Sequence, residues 1–565
     1  MKNRKFILSS RPHAVLISNH GYAGIHAPVC KAPDSGGQIV YVHYLARSLE
    51  KNGYKVSIFT RGGFPEYKSK KVRSGTGFLS PWIRYVYIPA GPPHFIPKED
   101  IAPVLDEETG RMHSFLKKEA RIKKTNIHEY ISFINSHYWD AGLIGCGLVS
   151  MMQTDLFLEE LDRILDIPDR YLRKRYDGNR NHDVFYQTGA VFLSSLEKKF
   201  PDTRPGDSLN KDPYLSLELS KTLCISLRRA EHLLTAFSIK SRHTEPAFRQ
   251  IERTAQLGRI IIQTRLPGIK EKLERLNMHI WCPHTLGTLK ERNTRDMDPV
   301  LKKGLRLKER IRYEKTVSPR VSLLMATSRE IIKVLHDDYQ AAPDKIFYFP
   351  PCNDDTLFRP RSPVNCKKAW AFLKRKTCVK NIREQQIILE SSRMDHSKRK
   401  DILVRAFRLI AEKNGNTLLL IGGGPANEVE RSLKKLVGKL RLKDRVFFIG
   451  FLNPALIGPI FSIPLMYVTP SEMEGFGMSV LNAISSRVPV IASGKIPLAQ
   501  QHLKHCALIP KDNSPAELAA AMEKYLNDAS LRKRNSRKAF LISRSFQWPV
   551  LTRLFIRELK RRNLV

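Results

Sequence analysis

The chain has 565 residues, which is too long for a single hydrophobic core, so its length predicts two large domains with additional segments. Hydrophobic residues make up 42% of the chain and aromatic residues 9%, which excludes wholesale disorder. The 96 Lys and Arg outnumber the 55 Asp and Glu, and the net charge of +41 favours contact with phosphates, nucleic acid or anionic lipid, or reflects an ordinary basic surface.

The first elements form a strand, helix and strand in that order. The run Ala-Val-Leu-Ile-Ser at 14–18 predicts a strand, apolar positions at helical spacing over 39–49 predict a helix, and 55–60 predict the next strand. The helix follows Asp-Ser-Gly-Gly-Gln at 34–38. Because glycines leave backbone N–H groups unobstructed, this turn favours contact with a phosphate or a sugar hydroxyl.

The rest of the first half has fewer regular patterns. Residues 151–275 predict an inserted, mainly helical subdomain of unassigned role. Beyond it, Arg310 and Glu314 lie one helical turn apart, which by itself predicts a surface pair worth a few tenths of a kcal/mol.

The second half repeats the alternation of strands and helices. Strands are predicted at 386–392, 417–421 and 445–451, and a helix at 402–410. Repeated alternation of this kind predicts a parallel, doubly wound α/β sheet in each half of the chain.

One stretch of the second half carries most of the chemistry. Residues 464–469 predict a buried strand and 479–485 a helix, with Glu474, Gly475 and Gly477 in the loop between them. This order places a carboxylate and free N–H groups at the carboxyl edge of a sheet, an arrangement that suits a phosphate bearing a polyhydroxylated group.

The stretch at 470–483 resembles the E-x7-E segment of retaining glycosyltransferases with the GT-B fold, of the family-four type that includes sucrose-phosphate and sucrose synthases. The segments at 34–38, 136–142 and 280–287 are similar to others of that family. The resemblance implies two Rossmann-like doubly wound domains facing a cleft. It implies an acceptor domain at 1–350 with the helical insertion, a nucleotide-sugar domain at 365–540 and a crossover helix at 541–565.

The resemblance also implies site residues. The expected catalytic residues are Arg393, Lys398, Glu474 and His284. The expected donor-binding residues are Gly36, Gly37, Gln38, Gly423, Gly475, Phe476, Gly477, Met478 and Asn482. The expected acceptor-binding residues are Lys98, His137 and Arg310, with Arg312 as an alternative to Arg310. A structural role for either histidine remains an alternative.

Two positions depart from the family pattern. Asn482 stands where the family has its second glutamate, so one carbonyl acceptor remains and the charge is lost. Ser-Gly-Lys-Ile-Pro at 493–497 replaces the usual Asn-Gly-Gly-Pro. Both departures bear on the choice of donor. The chain has no acidic pair of the kind that holds a metal in other glycosyltransferases, so we predict catalysis without a metal or other cofactor.

The predicted function is transfer of a hexose from a nucleotide sugar, UDP-glucose above others, to an acceptor such as fructose 6-phosphate. One alternative is a mannosyl or glucosyl transfer to a lipid or polysaccharide, with the basic surface held against an anionic membrane. Another is a decayed transferase that binds RNA or a partner protein. We expect no nucleic-acid partner, because the chain has no motif that interleaves aromatic and basic residues.

The remaining patterns concern the cellular compartment of the protein. The eight cysteines are scattered without a CxxC pair, which predicts reduced thiols rather than a disulfide framework. The longest apolar tract, 454–470, contains four prolines, so it predicts no spanning helix. We therefore expect a cytoplasmic protein, with peripheral contact to a membrane as an alternative.

Overall fold

The computed structural model describes residues 2–28, 32–165, 276–294, 303–424 and 427–565. The chain divides into two compact units. The first comprises Met1–Met325, Val334–Phe347 and Ile556–Val565, and the second comprises Ala326–Lys333 and Tyr348–Phe555. Most of the predicted helical insertion, residues 166–275, lies outside the described residues.

The first unit is built on an eight-stranded sheet in the order β3-β4-β2-β1-β5-β6-β7-β8. The strands are β1 His13–Ile17, β2 Lys55–Gly62, β3 Gly75–Ser80, β4 Ile83–Pro89, β5 Phe133–His137, β6 His279–Cys282, β7 Leu323–Ala326 and β8 Ile346–Tyr348. β3 is antiparallel to β4, whereas β4, β2, β1, β5, β6 and β7 pair in parallel. Every residue of β1 and β2 is buried, as expected for parallel strands covered on both faces.

Helices connect these strands. Those of the first unit are Lys2–Leu8, Gly37–Lys51, Leu105–Lys123, Ile127–Tyr130, Trp139–Leu165, Gly287–Asn293 and Leu307–Val317, and Arg329–Asp337 includes residues of both units. Helix Gly37–Lys51 buries the apolar positions whose spacing predicts it, among them Ile39, Val42, Leu45 and Leu49. The predicted strands at 14–18 and 55–60 agree with β1 and β2.

The second unit has a five-stranded sheet in the order β11-β10-β9-β12-β13. The strands are β9 Gln386–Ser391, β10 Thr417–Gly422, β11 Val446–Gly450, β12 Met466–Thr469 and β13 Val490–Ala492. All neighbouring strands pair in parallel. This unit therefore has the doubly wound pattern that the alternation of elements predicts.

Helices cover both faces of the second sheet. They are Lys367–Thr377, Lys400–Ala411, Glu428–Lys439, Pro454–Phe461, Met478–Ser485, Pro497–His502, Pro515–Asn527, Ala529–Ser543 and Trp548–Arg561, the last of which extends into the first unit. Along β10, Leu418 and Leu420 enter one hydrophobic cluster, whereas Leu419 and Ile421 enter the other. Successive side chains thus point to opposite layers, as the period of a strand requires.

Among the described helices, none is both long enough and apolar enough to cross a lipid bilayer.

Candidate active site

The second unit brings Lys398 and Glu474 into direct contact at the carboxyl edge of its sheet. Lys398 follows β9 and Glu474 follows β12, and these strands are parallel neighbours. The Lys398 Nζ lies 2.8 Å from Glu474 Oε1 and 2.9 Å from the Met473 carbonyl oxygen. Only 4% of Lys398 is exposed, so this ion pair is protected from solvent.

The loops that carry these two residues are tied together at a second point. The Glu472 backbone N–H donates to the Ser397 carbonyl at 2.8 Å, and Arg399 Nη1 lies 2.5 Å from Glu472 Oε1. Arg393, earlier in the same loop, is exposed. The loop therefore presents one exposed guanidinium and one buried ammonium, two groups suited to binding a diphosphate.

The glycines beside Glu474 have distinct roles. Gly477 has a φ of 109° and immediately precedes helix Met478–Ser485, and a Cβ there would lie 2.5 Å from Ile496 Cγ2. A side chain at Gly477 would therefore meet both strain and a clash. A Cβ at Gly475 would meet nothing within 4 Å, so the backbone there is open. The Phe476 side chain is buried, whereas Met478 is 38% exposed.

Asn482, where the family has its second acid, keeps an unused acceptor. It lies in helix Met478–Ser485 and is partly buried. Its Oδ1 is buried and accepts no hydrogen bond from any residue that the structure describes. A buried acceptor without a partner is costly, so this amide is suited to accept a hydrogen bond from a bound ligand.

Lys400 is a residue of this region that the sequence patterns do not reveal. Its Nζ lies 2.5 Å from Glu390 Oε2 and 2.9 Å from the carbonyl oxygens of both Ser392 and Gly422. Lys400 and Glu390 are almost completely buried. Because Ser392 precedes Arg393 and Gly422 precedes Gly423, this one ammonium joins the two loops that carry them.

Gly423 packs closely against the first of these loops. A Cβ at this position would lie 2.8 Å from the Ser392 carbonyl oxygen. The Gly423 N–H itself donates to the Gly450 carbonyl at 3.1 Å. Gly423 is thus required for close packing of the loops, and its own N–H is already engaged.

In the first unit, the paired glycines begin helix Gly37–Lys51 as predicted. A Cβ at Gly36 or Gly37 would meet nothing within 4 Å, so the start of the helix is open. Gln38 turns inward, where its Nε2 donates to the His137 carbonyl at 3.1 Å. This bond fixes the first turn of the helix to the carboxyl end of β5.

His137 and His284 lie together at the carboxyl ends of β5 and β6. His137 Nδ1 is 3.0 Å from His284 Nε2. Burial lowers the pKa of His284 to about 3 and holds that of His137 well below its usual value, so both imidazoles are neutral at neutral pH. His284 and Tyr138, which follow these two strands, have left-handed φ values of 57° and 83°. Strained residues of this kind cluster at functional sites.

Arg310 is buried, and the prediction of a surface pair with Glu314 is wrong. Arg310 Nε donates to Glu314 Oε1 at 2.7 Å, and both side chains are at most 5% exposed. Its Nη1 donates to the Tyr138 hydroxyl at 2.6 Å, and its Nη2 donates to the Thr285 carbonyl at 2.7 Å. Sequence spacing shows that Arg310 and Glu314 share a helical face, but the packing around helix Leu307–Val317 decides whether that face is exposed.

A depression in the first unit gathers basic side chains around Arg310. This depression is open to solvent. Its lining includes four basic residues, Lys98, Lys290, Arg306 and Arg310, against two acidic ones, Glu99 and Glu309. Arg310, Lys98 and Arg306 are paired with Glu314, Asp34 and Asp100, so Lys290 is the base of this depression most suited to an anion.

The bases of this depression differ in how far they are neutralised. Lys98 is paired with Asp34 and lies 3.1 Å from Glu99 Oε1. Lys290, which the sequence patterns do not single out, has its pKa lowered by burial and by the neighbouring charges of Arg310 and Lys98. An anion bound at Lys290 would relieve this repulsion.

The predicted site residues therefore form two groups, one within each unit. The second unit holds Arg393, Lys398, Glu474, Asn482 and the glycines of their loops, and the first holds Gly36, Gly37, Gln38, Lys98, His137, His284 and Arg310. The main residues that the sequence does not indicate are Lys290, Lys400 and Glu390. Their partners come from distant positions in the chain, so only the fold brings them together.

Comparison with known proteins finds similarity to glycosyltransferases. Residues 376–541 match the family model of glycosyl transferases group 1. The chain is 25% identical over 555 residues to mannosylfructose-phosphate synthase of Agrobacterium fabrum, covering 95% of this chain and 88% of the relative. It is 24% identical over 275 residues to D-inositol 3-phosphate glycosyltransferase of Corynebacterium glutamicum, covering 48% of this chain and 63% of the relative.

Solved structures show the same architecture. Sucrose-phosphate synthase from Thermosynechococcus elongatus superposes with a TM-score of 0.57 at 18% identity, covering 98% of this chain and 99% of that one. Anabaena Alr3699/HepE, solved with UDP and glucose, has a TM-score of 0.52 at 11% identity, covering 97% and 99%. The fold and the family resemblance predicted from sequence are confirmed. The chain has the GT-B fold, and its residues 376–541 match a glycosyl transferases group 1 domain.

Proposed function

We propose that this chain is a retaining hexosyltransferase that transfers a hexose from a nucleotide sugar, UDP-glucose above others, to a small phosphorylated sugar such as fructose 6-phosphate. The observation that carries the proposal is the depression of the first unit, where Lys290 lies among three other bases that are already paired with carboxylates. Two similar proteins are named for phosphorylated sugar products, and Anabaena Alr3699/HepE has been solved with UDP-glucose.

The donor is assigned to the second unit. Arg393 and Lys398 bind the diphosphate, because a planar fork and a point charge together match its oxygens. Glu474 accepts hydrogen bonds from hexose hydroxyls, each worth about 1.5–3 kcal/mol when the acceptor is charged. The unused Oδ1 of Asn482 accepts a hydrogen bond from a ribose hydroxyl.

The transfer breaks the bond between the anomeric carbon of the hexose and a diphosphate oxygen, and forms a bond from that carbon to an acceptor oxygen on the same face. The proton of the acceptor hydroxyl passes to the departing diphosphate. Negative charge grows on the diphosphate as it leaves, where the fixed cations stabilise it. His284, neutral because of its burial, orients a sugar hydroxyl by a hydrogen bond without adding charge.

The acceptor is assigned to the first unit, where its phosphate binds Lys290 and Lys98. Lys290 has its pKa lowered by burial and by neighbouring bases, so it gains from an added anion. Arg310 also lines the depression, and its hydrogen bonds to the Tyr138 hydroxyl and the Thr285 carbonyl hold its guanidinium in place.

The test is a panel of nucleotide sugars combined with phosphorylated and unphosphorylated sugars, scored by release of nucleoside diphosphate. We expect Lys290→Met to raise the KM of the phosphorylated acceptor about tenfold or more and to leave the KM of the donor unchanged. Arg292→Met is the matched control, because Arg292 lies in the same helix but is 48% exposed and paired with Asp338. Equal use of an acceptor without phosphate would overturn the assignment.

A further inference from the structure

Helices of the second unit form a layer on each face of its sheet, and the two layers differ in charge. One layer packs against Leu418 and Leu420 and consists of the helices Lys367–Thr377, Pro454–Phe461, Met478–Ser485, Pro497–His502 and Ala529–Ser543. None of these five helices contains an Asp or Glu, whereas Lys367–Thr377 and Ala529–Ser543 contain five Lys or Arg each. We call this layer the basic layer.

The opposite layer has mixed charge. It packs against Leu419 and Ile421 and consists of the helices Lys400–Ala411, Glu428–Lys439 and Pro515–Asn527, each of which contains at least one acid. Glu430, for example, pairs with Lys434 at 2.7 Å. The whole chain is basic, so an excess of bases is expected in both layers. That excess does not account for the lack of acids in the helices of the basic layer.

The cations of Ala529–Ser543 form one exposed face of that helix. Ala539 packs in the core, and the exposed cations are Lys533, Arg534, Arg537 and Lys538. None of these four side chains forms a salt bridge with any residue that the structure describes. Asp528, which precedes the helix, is engaged as its N-cap. Because like charges four residues apart weaken a helix, an anionic partner would relieve a repulsion within this face.

Exposed apolar side chains accompany both basic helices. Leu541, one helical turn after Arg537, is 59% exposed. Val364, three residues before Lys367–Thr377, is 66% exposed. Aliphatic groups exposed among bases suit the boundary between lipid headgroups and acyl chains, where the bases meet phosphates and the apolar groups leave water.

The aromatic side chains of Lys367–Thr377 do not favour a nucleic acid. Trp370 and Phe372 pack against the core of the unit. Arg375 and Lys376 each lie 5.9 Å from the centre of the Phe372 ring, and Arg383 lies 6.0 Å from that of Trp370. Single-stranded nucleic acids bind by stacking bases on open aromatic faces. Because these rings are covered by core and cations, the basic layer fits a lipid surface better than RNA.

We propose that the basic layer is a docking surface for the anionic face of a lipid bilayer, with Lys367–Thr377 and Ala529–Ser543 as its charged elements. Each Lys or Arg held near an anionic bilayer strengthens binding about fivefold. Leu541 and Val364 add apolar contact. The proposal goes beyond the proposed function, because docking depends on neither the donor nor the acceptor of the transfer.

The test is sedimentation of the full-length protein with vesicles of phosphatidylcholine, either pure or with one third phosphatidylserine. We expect binding to the anionic vesicles alone, and release at about 0.5 M salt, where charges are screened within a few Å. Replacing the four exposed cations of Ala529–Ser543 by Gln should weaken binding at least tenfold. Leu541→Gln should weaken it severalfold.

The matched control removes four exposed cations from the opposite layer. It replaces Arg405, Arg431, Lys435 and Lys439 by Gln, so both variants lose the same charge. The control should bind anionic vesicles within threefold of the unmodified protein. Equal weakening of both variants, or no binding by the unmodified protein, would overturn the proposal.

Lysine acetylation of the unmodified protein, read by mass spectrometry, keeps the test independent of whether the variants fold. Anionic vesicles should lower the acetylation of Lys374, Lys533 and Lys538 at least threefold, and leave that of Lys435 and Lys439 unchanged. Equal protection of the two layers would contradict the docking surface. Protection of the first three lysines by single-stranded RNA but not by vesicles would also overturn it, in favour of a nucleic-acid surface.

Discussion

The carboxyl edges of the two sheets hold their polar side chains in different ways. In the second unit, buried ammonium groups are paired with carboxylates, Lys398 with Glu474 and Lys400 with Glu390. In the first unit, burial keeps His137 and His284 neutral. At these points the edge of the second sheet is organised by buried charge and the edge of the first by uncharged hydrogen-bonding groups, whereas the charged pair of Arg310 and Glu314 lies elsewhere in the first unit. This difference matches the proposal of a charged diphosphate at the edge of the second unit and sugar hydroxyls at the edge of the first.

The largest effect should come from the buried pair of the second unit. Lys400→Met leaves Glu390 buried without its partner, and we expect a loss of about 3–5 kcal/mol in the free energy of unfolding. The double variant Glu390→Leu/Lys400→Met should recover most of that loss. Denaturant titration measures both.

The control for this pair is Lys413→Met. Lys413 is 72% exposed and pairs with Glu523, so its removal should cost less than about 1 kcal/mol. If Lys400→Met is no more destabilising than this surface variant, buried charges do not organise the carboxyl edge of the sheet in the second unit.

The next effect concerns the cation assigned to the diphosphate. We expect Lys398→Met to lower kcat/KM by about 10²–10³-fold, because a preorganised group that stabilises the leaving charge is lost. Arg399→Met removes the same charge from the next residue, which is 33% exposed and pairs with Glu472 and Asp401, and should change kcat/KM less than threefold. Release of nucleoside diphosphate measures both, and equal losses would refute the special position of Lys398.

A third buried histidine of the first unit, His279 at the start of β6, predicts that acid lowers the stability of that unit. Burial lowers the pKa of His279 to about 3, whereas in the unfolded chain it lies near 6.5. Between pH 6.5 and 3 the unfolded chain therefore binds a proton that the folded unit does not, so stability falls as the pH falls. One such histidine contributes up to about 1.4 kcal/mol per pH unit.

Hydrogen exchange at pH 7 and pH 5 measures this contrast between the units. Amides of β5 and β6 should lose protection before those of β9 and β10, and His279→Gln should reduce the pH dependence in the first unit. Earlier loss of protection in the second sheet would reverse the comparison.

The smallest effect concerns Asn482, an uncharged side chain at the otherwise charged edge of the second unit. We expect Asn482→Glu to tighten UDP binding about tenfold, because a carboxylate accepts stronger hydrogen bonds from ribose hydroxyls than an amide does. Asn482→Leu, of similar size but without an acceptor, should weaken binding. Calorimetry measures both variants, and tighter binding by the leucine variant would place the ribose elsewhere.

The elements of the fold are largely predictable, because their signals are local. The strand at 464–469 and the helix at 479–485 correspond to β12 and helix Met478–Ser485, and the glycine loop between them is where the pattern places it. The antiparallel edge strand β3 is different. Its half-buried residues give a weak apolar pattern, so no strand is predicted there.

The partners of the site residues are less predictable. Glu474 is indicated by its motif, but its contact with Lys398 depends on β9 and β12 being adjacent in the sheet. Lys290 and Lys400 lie in ordinary basic segments of a highly basic chain, so charge alone does not distinguish them. Burial distinguishes them, and burial follows from the packing of distant segments.

The contact between Lys398 and Glu474 affects how a donor would be attracted. A diphosphate that reaches Lys398 exchanges one anion for another instead of neutralising a bare cation. Because Glu474 neutralises the charge of Lys398, this lysine does not attract an anion over a long distance. It interacts with a diphosphate only when the two are in contact. The exchange would also release a Glu474 oxygen as the diphosphate arrives, so the two ends of the donor would be engaged in one event.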